Sequence, residues 1–356
     1  MRPGVVRALF CTATARPRMT APEELSIACA SGVTIAARAW GEPTAPRRAL
    51  ALHGWMDNAA SWDRLAPALA KDWRVVALDL PGHGRSDSLG PGREYTQVDH
   101  AFAAMEALAA LGWSPKDPGG PSDEDSPPPV DLLGHSMGGG VACLVAASFP
   151  ELVRRLVLVE GFGPLSREPS RFVTQMRDAL RKRLAYENGL AQPRERLYGS
   201  LDEAAGARAA GAKRWPGRQF MSHEAARAIA SRAVVAQKEG PTRARKSAVK
   251  VAAEQAATES LRFGHDRRLA HPSTHSWHEE QVLAVLSAIA CPTLLIQAAH
   301  GWPRPEPGYS QRIQAMRPGL LELCELDRGS HYAHLDDDTA GEVRDAVVEF
   351  LERADA

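Results

Sequence analysis

Residues 130–141 read VDLLGHSMGGGV, and this stretch decides how the chain folds. A short apolar run is followed by a glycine-rich turn and then by small residues that suit the start of a helix. Residues 134–138 match the pattern G-x-S-x-G, a strand-to-helix turn that lifts the hydroxyl of its central serine clear of a sheet. The flanking glycines are needed because so tight a turn leaves no room for bulky neighbours of Ser136. The stretch therefore predicts a nucleophilic serine at the end of a buried strand.

Other apolar runs have the length and composition of strands. They cover residues 24–30 and 33–40, which form a hairpin, and then residues 48–52, 73–78, 153–159, 292–297 and 320–326. Helical spacing occurs at residues 61–69, 98–111 and 340–351. Because most of the strands are uniformly apolar and alternate with helices, we predict an α/β fold: a mostly parallel, twisted sheet with helices on both faces. The hairpin should cover one edge of that sheet.

A long segment of different composition separates two of these strands. From residue 164 to residue 288 the sequence forms helical segments rich in alanine, arginine and glutamate, without strand-like runs. We interpret residues 164–288 as a helical lid, or cap, inserted into a core made of residues 23–163 and 289–356. Ligands of such sheets bind at the carboxyl ends of the strands, so the cap should lie over Ser136.

Two further segments have the composition of extensions. Residues 1–22 contain several arginines and a broken apolar run, and they fit a disordered extension or a weak targeting signal. A start codon assigned too early, with Met19 as the true start, explains them equally well. Residues 114–129 are dense in proline, glycine, aspartate and serine, which indicates a flexible surface insertion without chemistry of its own.

The chain as a whole is electrically balanced. Its 356 residues include 43 basic and 43 acidic side chains, so the formal net charge at pH 7 is zero. This balance removes any general argument for nucleic acid or an anionic membrane surface as a partner. The five cysteines lie far apart, which disfavours a zinc site or a disulfide framework and favours a reducing, cytoplasmic compartment. No apolar run approaches the ~20 residues that span a bilayer. We expect a small-molecule acyl substrate as the partner. The oligomeric state does not follow from the sequence.

A serine nucleophile needs a base, and the base needs an orienting carboxylate. In a sheet of this kind the three residues follow along the chain in the order serine, acid, histidine. His331 stands directly after a Gly-Ser turn that follows the last predicted strand, where a loop can reach back over Ser136. We predict His331 as the base, with His334 as the alternative.

The acid is harder to place. Residues 298–305, after the strand at 292–297, contain no carboxylate, and the nearest one, Glu306, stands between two prolines. Glu160 ends the strand that follows the serine unit, from which it could reach the imidazole from the neighbouring side. We predict Glu160 as the acid of the triad, although a charged residue at this position could also simply end the strand.

Two backbone N–H groups should receive the negative charge that develops on the substrate. We expect them to be those of Met137, directly after the serine, and Trp55, in the loop after an earlier strand. Three residues of the same group of loops are expected to line the substrate pocket: His135, Phe162 and Trp302. This chemistry requires no metal and no organic cofactor.

With these residues in place, the chain resembles the α/β-hydrolase superfamily from about residue 24 to residue 351. The likeness rests on the triplet HGW at residues 53–55, the loop at 79–87, the turn at 134–139 and His331. More narrowly, the chain is similar to the serine hydrolase-like proteins. They share the sequence motif HGWMDNA, found here at residues 53–59, and a His-Gly-aromatic triplet, found here at residues 300–302.

This resemblance implies the α/β-hydrolase fold and a serine hydrolase whose substrate is poorly defined. The chain departs from the commonest pattern because no aspartate follows Gln297; a carboxylate after an earlier strand resembles the arrangement in some haloalkane dehalogenases. Dehalogenases and epoxide hydrolases use an aspartate nucleophile where this chain has Ser136, which disfavours both activities. We therefore expect hydrolysis of an ester, thioester or similar acyl bond. A carbon–carbon bond hydrolase, an acyltransferase and a non-catalytic binding protein on the same fold are the alternatives.

Overall fold

A computed structural model describes residues 21–115, 118, 126–190, 195–217, 219–237 and 260–353. The interpretations of residues 1–20, of Met19 as a start and of most of the insertion at 114–129 concern residues outside these ranges.

The central sheet has eight strands within the described ranges. In chain order the strands of the protein are β1 Glu23–Ala28, β2 Thr34–Trp40, β3 Arg47–Leu52, β4 Trp73–Leu78, β5 Val130–His135, β6 Val153–Val159, β7 Val234–Gln237, β8 Ser260–Phe263, β9 Thr293–His300 and β10 Leu321–Ser330. The sheet runs in the spatial order β1-β2-β4-β3-β5-β6-β9-β10. Strands β1 and β2 pair antiparallel at one edge, β2 pairs antiparallel with β4, and the remaining pairs are parallel.

The described residues form nine α-helices, some of which cover the two faces of this sheet. They are α1 Ala66–Leu69, α2 Gln97–Ala110, α3 Met137–Ser148, α4 Phe172–Glu187, α5 Leu201–Ala212, α6 His223–Ala233, α7 Glu279–Ala288, α8 Gly308–Ala315 and α9 Ala340–Glu352. Alternate side chains of each strand face opposite ways, so Leu50 and Leu52 pack with α2 and α3, whereas Ala49 and Ala51 belong to the core under α1 and α9. The predicted mostly parallel sheet between two helical layers is confirmed. Among the described residues, no helix combines the length and the apolar character needed to cross a membrane.

Two strands continue beyond their predicted ends. Strand β9 reaches His300 instead of residue 297, and β10 reaches Ser330 instead of residue 326, after a register irregularity that follows Leu326. The additional residues are polar or small, and main-chain pairing rather than an apolar pattern keeps them in the sheet. His331 therefore directly follows a strand.

The segment between β6 and β9 differs from its prediction in two respects. The expectation that it contains no strands was wrong, because β7 and β8 form an antiparallel ribbon with Val234 opposite Phe263. Each strand has only four residues, too few for a period of two to stand out in the sequence. Helix α7 falls within residues 164–288, yet its Val282 and Leu286 are buried in the core beside α3. The division into core and cap otherwise stays a prediction.

Two buried ion pairs connect helices α5 and α6 to loops of the core. Arg208 of α5 binds Asp57, which lies in the loop after β3, at 2.5 Å. Arg232 of α6 binds both oxygens of Asp79, directly after β4, at 2.9 Å. The Asp79 carboxylate also accepts hydrogen bonds from the backbone N–H groups of Ala59 and Arg85. These carboxylates therefore fix the two loops and the cap helices at the same time.

We expect Asp79→Ala to lower the free energy of unfolding by about 3 kcal/mol or more, since the buried Arg232 guanidinium loses its main partner. Urea denaturation followed by circular dichroism measures this change. Asp202→Ala is the matched control, because Asp202 pairs with Arg227 on the exposed surface of the same cap. That change should cost about 1 kcal/mol at most. Equal losses in the two variants would contradict the role assigned to Asp79.

Candidate active site

Ser136 occupies the sharp turn between β5 and α3. Its backbone has φ +52° and ψ −116°, a conformation that L residues adopt only under constraint. The neighbouring backbones explain the glycines: a Cβ on Gly138 would lie 2.2 Å from the carbonyl oxygen of Leu52, and one on Gly161 would lie 2.4 Å from that of Ser136. Helix α3 can therefore approach the strands only because these positions lack side chains. The turn holds the serine partly exposed at the carboxyl end of β5.

The imidazole of His331 lies against this serine. Its Nε2 is 2.7 Å from the Oγ of Ser136, within hydrogen-bond distance. The backbone of His331 is held on both sides: its N–H donates to the Oε1 of Gln219 at 2.8 Å, and its carbonyl accepts from the Nε2 of His135 at 2.8 Å. The alternative base, His334, is buried behind His135, with 4.1 Å between the ring centroids. Of the two candidates, His331 is the one that contacts the nucleophile.

The carboxylate of Glu160 lies on the other side of the imidazole. Its Oε2 is 3.4 Å from the Nδ1 of His331. The backbone N–H groups of Ala298 and Trp302 donate to the two carboxylate oxygens at 2.6 and 2.7 Å. Gly301 leaves the necessary space, because a Cβ there would lie 2.1 Å from Oε1. The turn after β9 thus contains no acid of its own and instead binds the acid of the adjacent strand β6.

The loop after β3 carries the second expected oxyanion donor, Trp55. His53 anchors this loop: its Nε2 accepts from the backbone N–H of Leu80 at 2.9 Å, which leaves Nδ1 to donate to the carbonyl of Gly54 at 2.7 Å. Both Trp55 and Met137, the other expected donor, lie on the wall of the cavity that contains Ser136. The loop is therefore held by its own histidine beside the cavity that contains Ser136.

The cavity above Ser136 has a volume of about 590 Å³. Among the residues expected to contact substrate, Phe162 and Trp302 lie in its wall, and the Trp302 ring is 5.4 Å from that of His331. His135 also borders the cavity, but its side chain is fully buried and supports the backbone of His331 instead. Aromatic side chains supply much of the remaining wall: Tyr95, Trp215, Trp277, Tyr309 and Tyr332.

Gln219 is the residue of the site that sequence reasoning missed. Besides accepting from His331, its side-chain amide donates to the carbonyls of Gly301 at 2.9 Å and Pro216 at 2.8 Å. It therefore connects the loop of the base with the turn that binds Glu160. No motif surrounds Gln219 in the sequence, and only the approach of the cap to the core gives it this position.

Five other histidines are buried around these loops: His53, His83, His100, His135 and His334. Burial lowers the pKa of each ring, to about 3 for His100 and His135, because the charged form cannot be solvated. Among the described residues, no group of three or more potential ligands is arranged to hold a metal ion. The rings are thus neutral packing and hydrogen-bonding groups in the folded protein.

Comparison with known families gives one match over most of the chain. A family model described as alpha/beta hydrolase fold matches residues 50–338. A serine hydrolase-like protein of Dictyostelium discoideum is 28% identical over 92% of this chain and 81% of its own length. A serine hydrolase-like protein of Danio rerio is 35% identical over 45% of this chain and 44% of its own length, and a human one is 39% identical over 35% and 55%.

Solved structures agree with the family match. A hypothetical protein from Pseudomonas aeruginosa superimposes with a TM-score of 0.73 at 28% identity, over 94% of this chain and all of its own. The thioesterase domain from the curacin biosynthetic pathway superimposes with a TM-score of 0.68 at 24% identity, over 92% of this chain and all of its own. The second likeness concerns the fold alone.

We expect the protein to lose stability as the pH falls below about 6.5. In the unfolded chain the five buried histidines take up protons near their ordinary pKa of about 6.5, whereas in the folded chain they stay neutral to much lower pH. The unfolded state thus binds more protons in this range, so the free energy of unfolding decreases with falling pH. Urea midpoints measured between pH 8 and pH 4 check this.

His100→Phe is the matched variant for this measurement. Neither ring nitrogen of His100 has a hydrogen-bond partner within the described part of the chain, so the exchange removes a titrating group without breaking such a bond. The urea midpoint of the variant should depend less on pH below 6.5 than that of the wild type. If the urea midpoint depended on pH as steeply as in the wild type, His100 would take no part in the loss of stability at low pH.

Proposed function

Since this chain belongs to the alpha/beta hydrolase fold family, we propose that it is a serine hydrolase that cleaves an ester or related acyl bond through a covalent acyl-enzyme. The observation that carries the proposal is the 2.7 Å contact between the Oγ of Ser136 and the Nε2 of His331 beside an open cavity. The names of the serine hydrolase-like relatives support the same reaction class. We further propose a cytoplasmic location, as four widely separated cysteines within the described ranges are free.

The proposed reaction begins with attack of Ser136 on the acyl carbon. His331 accepts the hydroxyl proton as the new C–O bond forms, and Glu160 orients the imidazole and stabilises its positive charge. The backbone N–H groups of Met137 and Trp55 bind the oxyanion of the tetrahedral intermediate. His331 then donates the proton to the leaving group as its bond to the acyl carbon breaks. Water, activated by the same histidine, releases the acyl group and restores the serine.

The cavity supports an acyl substrate with an apolar part. Phe162, Trp215 and Trp302 offer large, stiff surfaces against which an acyl chain or ring can pack. Trp215 comes from the cap and Trp302 from the turn that binds Glu160, and their ring centroids are 6.0 Å apart. The acyl group would thus be held between the cap and the catalytic loops.

A fluorophosphonate probe tests the proposal directly. The wild-type protein should become labelled at Ser136, and Ser136→Ala should not, because only an activated hydroxyl attacks the phosphorus atom. A panel of p-nitrophenyl esters of graded acyl length then measures turnover and the size of the pocket together. A folded wild-type protein that neither reacts with the probe nor hydrolyses any ester would favour a non-catalytic binding protein.

The acid of the triad is tested by Glu160→Gln. This variant keeps the size of the side chain but removes the negative charge beside His331, and kcat for the best ester should fall by up to about 10⁴-fold. Glu306→Gln is the matched control, since Glu306 is exposed and its carboxylate forms hydrogen bonds only with Ser310 among the described residues. If Glu160→Gln kept nearly full activity, the acid would have to be Glu306 or Asp327.

A further inference from the structure

Helix α4, the first helix of the cap, has an apolar stripe that faces solvent. Val173, Leu180 and Leu184 are 68%, 45% and 61% exposed. At positions i, i+7 and i+11 they fall within about 40° of each other around the helix axis. Only Ala179 of the whole helix is buried. The stripe is therefore a second apolar face of α4, separate from the one that packs on the protein.

Basic residues flank this stripe along one side. Residues 171–183 contain five basic side chains and one acidic one, in a chain whose total charge is zero. Arg177 and Arg181 follow the stripe along one side of the helix. Neither they nor Lys182 joins an ion pair within the described ranges, and all three are exposed. The balanced total charge thus conceals a local cluster of cations without partners.

Helix α4 lies beside the entrance of the cavity above Ser136. The side-chain amide of Gln175 donates to the carbonyl of Ser273 at 3.1 Å, and the ring of Tyr186 packs against His271 with 5.1 Å between centroids. Ser273 and His271 both line the cavity. Leu165, which is 59% exposed, lines it as well and extends the apolar surface to the entrance.

We propose that α4 docks the protein on an anionic lipid surface and thereby presents the cavity to acyl lipids. The stripe enters the boundary between headgroups and acyl chains, and the cations contact the anionic headgroups. A second copy of this chain is a poorer occupant, because a two-fold interface would place the same basic cluster on both sides. The docking itself does not depend on catalysis; the choice of substrate rests on the proposed hydrolase.

Flotation with lipid vesicles tests the docking. The full-length protein should bind vesicles of phosphatidylcholine that contain about 30% phosphatidylglycerol, because their negative surface potential attracts basic segments. It should not bind vesicles of phosphatidylcholine alone. Arg177→Glu/Arg181→Glu should weaken binding by about 30-fold or more, at about 1 kcal/mol for each cation lost. Leu180→Gln/Leu184→Gln should weaken it by about tenfold, because less apolar area enters the lipid. Each variant should keep wild-type activity on a water-soluble ester.

Matched controls lie elsewhere on the surface. Leu323→Gln removes an exposed leucine from the edge strand β10, and Lys71→Glu/Arg317→Glu reverses two exposed cations outside the cap. Both should bind vesicles like the wild type. Ser136→Ala should also bind, so that a failed hydrolase assay with intact binding would count against the catalytic proposal alone.

Three results would overturn the docking proposal. One is a wild-type protein that does not bind anionic vesicles, and another is equal binding by the α4 variants and the controls. The third is a wild-type dimer in analytical ultracentrifugation that Leu180→Gln/Leu184→Gln converts to monomers, without vesicle binding by either. That result would assign the stripe to a second copy of the chain.

Discussion

The position of the Ser136 hydroxyl depends on one close approach of backbones. Where α3 meets β5, the carbonyl oxygen of Leu52 leaves no volume for a Cβ on Gly138, and the backbone of Ser136 leaves none for a Cβ on Gly161. The Ser136 backbone keeps its positive φ because this surrounding packing leaves it no relaxed alternative. Packing of the sheet therefore determines where the hydroxyl stands, and every other group of the site is arranged around that fixed point.

The same principle applies to Glu160, the second residue of the site with a positive φ, at +54°. Its carboxylate fills the space that a side chain on Gly301 would need. It accepts hydrogen bonds from the backbone N–H groups of Ala298 and Trp302. A carboxylate at the end of β6 can thus reach the turn after β9 because Gly301 leaves the space open.

The sheet, the turn that carries Ser136 and the candidates His331 and Glu160 could be predicted from the sequence because each leaves a local signal. Buried strands appear as apolar runs, and the turn at 134–138 has its glycines. Residues 298–305 contain no acid, which favours Glu160 at the end of an earlier strand. The polar ends of β9 and β10 and the ribbon of β7 and β8 gave no such signal, because main-chain pairing holds them. Gln219 and the buried role of His135 depend on contacts between distant parts of the chain, which composition and spacing do not report.

The two ion pairs that join α5 and α6 to the core limit how a ligand can reach the serine. Swinging α5 and α6 outward would separate Arg208 from Asp57 and Arg232 from Asp79, and all four charged groups would have to be exposed to solvent together. Within the described ranges α4 has no such buried ion pair and only one buried residue, Ala179, so the border of the cavity at α4 is held less firmly than the one at α5 and α6.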